Sequence, residues 1–219
     1  MKSIPVLGVV ISGVLAGALL LGGSPAEAQT WARHKGLLGT YSGVQLSLGG
    51  GVTRFARDTP RDATNVGGQW EVALGYAPEI ADTHLFAFEA AYIGTAQGLT
   101  PAGVSNGTLW SHGFEGLVRL QPGFATWMGI EPYVFGGMGA TWFSTSVPTG
   151  QGSVTVADQN NAHFVVPVGL GVQFRMEGLL IDLRGAYRFR FTNDLIRASG
   201  DPDPALDSWS VTGRVGVDL

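Results

Sequence analysis

Apolar and polar residues alternate one for one along most of this chain, in eight separate runs. The clearest is Leu179–Thr192. There Leu179, Ile181, Leu183, Tyr187, Phe189 and Phe191 hold the odd positions, and Asp182, Arg184, Arg188 and Arg190 hold even ones. Successive side chains of a strand point to opposite faces, so this run predicts a strand with one apolar and one charged face. The closing run repeats the pattern. Trp209, Val211, Val215, Val217 and Leu219 alternate with Ser208, Ser210, Thr212, Arg214 and Asp218.

Earlier runs are of the same kind. Tyr41–Arg54 sets Val44, Leu46, Leu48 and Val52 against Gln45, Ser47 and Thr53. Gly67–Ala77 sets Trp70, Val72, Leu74 and Tyr76 against Gln69, Glu71 and Gly75. In His84–Thr95, Phe86, Phe88, Ala90 and Tyr92 oppose Ala87, Glu89 and Ala91; in Thr108–Gln121, Trp110, Phe114, Val118 and Leu120 oppose Ser111, Glu115 and Arg119. His163–Met176 carries Phe164, Val166, Val168, Leu170, Val172 and Phe174 against Gly169, Gly171, Gln173 and Arg175. Glu131–Ser144 does not choose a face: Val134, Met138 and Trp142 share one parity, and Tyr133, Phe135 and Phe143 share the other.

The connections alternate in length. Phe55–Val66, Ala96–Gly107, Thr145–Ala162 and Thr192–Asp207 are long, polar or rich in Gly and Pro, and read as loops; Pro78–Thr83, Pro122–Ile130 and Glu177-Gly178 are shorter turns. Strands of about 12 residues, tilted near 45°, rise on the order of 28 Å, which matches a hydrocarbon layer rather than a soluble sandwich. An open sheet edge in lipid leaves backbone groups unpaired, so the last strand must return to the first. The expected fold is all-β: a membrane-embedded, antiparallel up-and-down barrel of eight strands. A ten-stranded ring with Ser153–Ala157 in an extra hairpin stays open as an alternative.

The N-terminus adds a destination. Lys2, the apolar run Val6–Leu21 and the small-residue site Ala26-Glu27-Ala28 form a secretory signal. The predicted organisation is a cleaved signal peptide at 1–28, an N-terminal periplasmic tail at 29–40 and a transmembrane barrel at 41–219. With no Cys, an exported chain is held by its core or by sheet closure, not by disulfides. A net charge of −4 argues against a nucleic-acid partner.

The alternation, the loop asymmetry and the terminal run Val211-Thr212-Gly213-Arg214-Val215-Gly216-Val217-Asp218-Leu219 resemble the eight-stranded outer-membrane barrel family that includes the OmpA transmembrane domain and OmpX. Pro132-Tyr133-Val134-Phe135-Gly136-Gly137-Met138-Gly139 is similar to a Gly-rich strand common in that family. The resemblance covers roughly Tyr41–Leu219. It implies the bacterial outer membrane as location, with membrane lipid and the barrel assembly machinery as partners. Val211, Val215, Val217 and Leu219 match the C-terminal assembly signal, although Leu219 stands where the family usually ends in an aromatic residue. One barrel type hosts many activities, so the resemblance speaks to architecture.

Candidate chemistry follows from the inward parity, which carries Glu71, Glu89, Glu115 and Asp182 with Arg119, Arg175, Arg184, Arg188, Arg190 and Arg214. An eight-stranded barrel is just wide enough for side chains to fill it, so these charges are expected to pair and plug the lumen. Trp70, Trp110, Trp142 and Trp209, with Trp127, Tyr41, Tyr76 and Tyr92, are expected as interfacial aromatics.

A hydrolase needs a nucleophile and a base on one face. Of His34, His84, His112 and His163, His112 is adjacent to Ser111, so the two face opposite ways, and His163 is followed by Phe164 and Val165 with no hydroxyl nearby; no strong triad can be assembled, which leaves only cross-strand partners open. Asp201, Asp203 and Asp207 fit no Ca²⁺ loop template. No catalytic, cofactor-binding or metal-binding residue is assigned. The expected role is non-enzymatic: envelope integrity, or surface interaction of a monomer with an unknown extracellular partner through its long loops. A narrow channel for ions or small solutes is the alternative, and a lipid A-modifying hydrolase comes third.

Overall fold

The computed structural model describes residues 43–78, 86–100, 107–121, 130–146, 162–176, 178–191 and 206–219. They form β1 (Val44–Phe55), a short helix α1 (Asp58–Ala63), β2 (Gly67–Tyr76), β3 (Phe86–Gly98), β4 (Thr108–Leu120), β5 (Ile130–Ser146), β6 (His163–Met176), β7 (Leu179–Arg190) and β8 (Ser208–Asp218). Each strand pairs antiparallel with its sequence neighbours, and β8 returns to β1 from Gln45↔Asp218 to Phe55↔Ser208, closing the ring. The ring is therefore eight-stranded, and β5 pairs directly with β6. The predicted signal peptide, the tail, Tyr41, Trp127, His34, His84, Asp201, Asp203 and the segment Ser153–Ala157 lie outside the described residues.

Burial follows the sequence parity closely. In β7, Asp182, Arg184, Arg188 and Arg190 are buried, while Ile181, Leu183 and Phe189 are exposed. Around the ring the outward face shows Leu48, Leu74, Phe88, Phe114, Val134, Met138, Leu183 and Val215 to the surroundings. So broad an apolar girth would be an aggregation surface in water, but it suits a barrel wall facing hydrocarbon. Among the described residues no helix is long and apolar enough to cross a membrane, which bears on helices and not on strands.

The strand whose facing the sequence left open, β5, is settled by its partners. Leu117 pairs with Gly137 and Arg119 with Phe135, so the odd positions of β5 share the inward face of β4. Tyr133, Phe135 and Phe143 are buried inside, and Val134 and Met138 face out. The rings of Tyr133 and Phe135 fit because β6 supplies glycines opposite them. A Cβ at Gly169 would come 2.5 Å from the Phe135 ring, and one at Gly171 2.4 Å from that of Tyr133.

Three boundaries need correction. β3 continues to Gly98 and β5 to Ser146, so both reach beyond their predicted ends into expected loops. The segment Phe55–Val66 is not all loop: Phe55 completes β1 and Asp58–Ala63 is helical. Pro60 is compatible with this helix because it stands in the first helical turn, where its missing N–H costs no internal bond. Asp58 in the first turn and Arg61 in the last complement the helix dipole. The segment is pinned to the end of β3 by Asn65 N–H to the Gly98 carbonyl (2.9 Å) and Thr100 N–H to that of Ala63 (2.9 Å).

Candidate functional site

The inward side chains meet in levels along the barrel axis. At the turn end, Arg175 lies 3.4 Å from both Asp218 and Glu131. At the middle level three guanidiniums, Arg119, Arg184 and Arg214, interlock with three carboxylates, Glu71, Glu89 and Asp182. Arg184 Nη2 donates to Glu89 at 2.7 Å, and Arg214 reaches Glu89 at 2.9 Å and Asp182 at 2.7 Å. Arg214 also lies 3.4 Å from Glu71. Arg119 donates to Gln173 (2.8 Å) and Gln45 (2.9 Å), and the Tyr133 hydroxyl donates to Asp182 at 2.7 Å. Aromatic faces cover the stack: Arg119 lies 5.2 Å from the Tyr133 ring and Arg184 5.1 Å from that of Phe135.

One level towards the loops, Arg188 grips Glu115 with two nitrogens, at 2.6 and 3.3 Å, and donates to Ser210 Oγ. A cavity of about 10 Å³ opens here among Thr53, Gln69, Thr95, Ser111, Glu115 and Arg190. That is room for about one water molecule.

The loop-end mouth is closed by different chemistry. Phe55, Leu109, Phe143 and Leu206 form a buried apolar cluster with Leu99 against it. The Arg190 guanidinium lies between the rings of Phe143 (5.4 Å) and Phe55 (5.9 Å), and it donates to the Leu206 carbonyl and to Ser208 Oγ. Asp207 accepts from Arg190 N–H (3.2 Å), Arg57 Nε (3.3 Å) and, more loosely, the Tyr187 hydroxyl (3.4 Å). Leu206 is thus drawn into the mouth from the root of the last loop.

All ten inward charges named from the sequence are buried inside the ring. They do not form one cluster: Arg175 sits apart at the turn end and Arg190 apart at the mouth. Sequence reasoning did not single out Glu131, Asp218, Gln45, Gln173 or Tyr133 as their partners. Gln45, Gln173 and Asp218 carry a polar group on the inward parity of their strands, and that was the available signal; Glu131 and Tyr133 stand on β5, whose facing the alternation left open. Phe55, Leu206 and Asp207 had no such signal, because they lie where the alternation ends. Every cation after Lys35 is an Arg. A planar fork bonds two carboxylates at once, which a Lys point charge does less well.

Trp70 and Trp110 are exposed on the outer face; Trp142 and Trp209 are half-buried there. Trp70, Tyr92, Phe114 and Trp142 form a ribbon of ring contacts, with centroids 5.2, 4.9 and 6.5 Å apart in succession. Val211 and Val215 face outward, Val217 and Leu219 are half-buried, and Leu219 N–H donates to the Val44 carbonyl at 2.9 Å. Ser111 points inward, with its hydroxyl 2.6 Å from that of Thr95, while His112 points outward and stacks on Trp142. This Ser–His neighbour pair is therefore split between the two faces of the wall. Among the described residues no group of three or more His, Asp or Glu could hold a metal ion.

No protein-family model matches the sequence, and no curated protein matches it. Solved structures do. Neisserial surface protein A (NspA) aligns over 81% of this chain and 98% of its own, at 15% identity and a TM-score of 0.55. Ail, the attachment invasion locus protein of Yersinia pestis, aligns over 79% of this chain and 97% of its own, at 12% identity and a TM-score of 0.46. The outer membrane enzyme PagL aligns over 80% and 99%, at 13% identity and a TM-score of 0.43. Identities this low speak to fold alone, and of the three only NspA superposes well enough to carry that much. The chain has the fold of the eight-stranded outer-membrane β-barrels, as its alternating strands and terminal run led one to expect.

Proposed function

We propose that this chain is an outer-membrane barrel with a filled lumen, exported with a signal peptide removed after Ala28, that acts without catalysis as an envelope element and through its loop-end surface. The observation that carries this reading is the interior. Three acid–Arg levels and an apolar stopper occupy the bore, and the space left at the Glu115 level is about that of one water. A conducting pore needs a continuous polar path, and these side chains stand across it. With the bore occupied, the surfaces left for function are the wall and the loop end. There α1 and the strand-end extensions of β3 and β5 stand.

The test is reconstitution with two readouts side by side. In a planar bilayer the wild type is expected to give no stable conductance steps. Arg188→Ala and Glu115→Ala are each expected to lower the unfolding midpoint while the bilayer stays silent. Stable, high conductance of the wild type would overturn the filled-lumen reading. Lipid A and phospholipid from cells with and without the protein are expected to carry the same acyl chains; a lost chain would make the protein a hydrolase.

A further inference from the structure

The outward face of the wall is almost free of charge. On the outward parity of the eight strands, among the described residues, Arg54 is the single charged side chain. It takes the last outward position of β1, at the loop end, directly across the ladder from Trp209 and two residues beyond Val52. The turn end of the same face, with Tyr76, Phe86, Leu120, Ile130, Met176 and Leu179, carries none among the described residues. Arg54 also differs from the arginines that follow it in the chain. Arg57 lies 3.3 Å from Asp207, and Arg61 is paired with Asp58 and Asp62. The Arg54 side chain is half-buried, and among the described residues it has neither a hydrogen bond nor an ion pair; its Nε is buried without a partner.

We propose that Arg54 holds the phosphate of an anionic phospholipid in the leaflet at the loop end, an inference that rests on the membrane reading above. A charge on the lipid-facing side of a barrel costs most at mid-depth and least near the interface, so a long cation at a strand end carries its head to the headgroup layer and leaves its stem on the wall. Half-burial strips water from the guanidinium, and no carboxylate of the described chain replaces that water. The outward neighbours Val52, Val66 and Val211 are apolar and offer no counter-charge. The phase that meets this position and does carry anions is the layer of lipid phosphates. A guanidinium fork fits phosphate oxygens bidentately, and Trp209 across the ladder is an aromatic of the interfacial kind. The placement is also one-sided: the described wall has a cation for a phosphate at the loop end and none at the turn end. A second copy of the chain is a poor source of the anion, because the described outward wall has no carboxylate to offer.

The test uses the full-length refolded barrel in a neutral detergent, with palmitoyl-oleoyl phosphatidic acid as probe, the net-neutral palmitoyl-oleoyl phosphatidylcholine as comparison and native mass spectrometry as readout. Wild type is expected to retain one phosphatidic acid per barrel in preference to phosphatidylcholine. Arg54→Gln is expected to retain about tenfold less, the scale of one charge-assisted hydrogen bond, and Arg54→Lys an intermediate amount, because an ammonium keeps the charge but not the fork. Arg57→Gln removes a charge from the same end of the barrel and is the control, expected to retain the lipid as wild type does. Inorganic phosphate alone is a second arm and is expected to leave no adduct; an adduct lost in Arg54→Gln would assign the site to the free ion and overturn the lipid. Arg54→Met, which keeps an apolar stem, serves if Arg54→Gln lacks the heat-shifted gel band of a folded barrel. Equal retention by wild type and the folded Arg54 variants would overturn the proposal. So would an equal loss in Arg57→Gln, which would make the effect one of bulk charge, and so would a wild-type dimer that Arg54→Gln abolishes. Should the wild type fail to insert into liposomes, the membrane reading itself falls; insertion with equal retention removes the Arg54 contact alone.

Discussion

The middle of the lumen and its loop-end mouth are both closed, by opposite means. The middle is charged: Glu71, Glu89 and Asp182 share three guanidiniums, and hydrogen bonds tie in residues of β1, β5 and β6. The mouth is apolar: Phe55, Leu109, Phe143 and Leu206 pack together, with the Arg190 guanidinium held beneath. In the middle every contributor stands on a strand, so the ring itself positions the network. At the mouth one contributor, Leu206, belongs to a loop root and is held by hydrogen bonds from its neighbours. A closed β-ring fixes what lies within its ladder. Beyond the ladder, closure depends on side chains that fold back over the end.

That contrast breaks most sharply at Glu89. Its carboxylate lies 2.7 Å from Arg184, 2.9 Å from Arg214 and 3.9 Å from Arg119. Glu89→Ala leaves three buried guanidiniums facing two carboxylates. Removing one partner of a buried ion pair costs about 3–5 kcal/mol, because the remaining charge stays desolvated. The expected result is a large fall in the urea midpoint of the barrel in lipid vesicles, with conductance still absent because aromatic rings and the mouth remain. A loss below about 1 kcal/mol would mean that packing, not charge, holds the middle.

Leu206→Ala probes the other side of the comparison. The residue is fully buried, but a loop root can settle into part of the space it leaves, so a cost near the lower end of the range for Leu→Ala, about 2 kcal/mol, is expected. The change should be local. A Cys placed at Ser208, just inside the mouth, is expected to react faster with a small thiol reagent in the Leu206→Ala background. Unchanged reactivity would show that Leu206 is not what covers the mouth.

How much of this was legible beforehand also divides along the same line. Alternation in β7 and β8 assigned Arg184, Arg188, Arg190 and Arg214 to the lumen, because a period of two and one predominantly apolar face leave no other orientation. The same rule could not orient β5, where Tyr133 and Phe135 face inward beside arginines. There the register with β4 and the glycines of β6 decide, and neither is a local property. Pairing partners were hidden for the same reason: Arg188 and Glu115 are 73 residues apart, and only ring closure brings them together. The mouth was least visible. Leu206 and Asp207 follow a Pro-rich stretch with no period, and α1 was masked by a proline that the first helical turn accepts.

The smallest effect is expected at the rim, and it separates packing from charge most cleanly. Arg57 is mostly exposed and touches Asp207 through Nε at 3.3 Å. Asp207 is buried, which at first sight makes Arg57 its necessary counter-charge. Yet the same carboxylate also accepts from the Arg190 backbone N–H, and more loosely from Tyr187, and the Asp207 carbonyl is taken by Ala56 N–H at 2.7 Å. The position of the loop root is thus set by bonds that do not involve the Arg57 side chain. An exposed ion pair contributes about 0–1 kcal/mol and is screened by salt. Arg57→Ala should therefore lower the urea midpoint only slightly, and the difference from wild type should vanish near 1 M salt, where the Debye length is about 3 Å. Thiol access at residue 208 should not change. If Arg57→Ala instead opens the mouth as Leu206→Ala does, closure there is electrostatic after all, and the two ends of the comparison collapse into one.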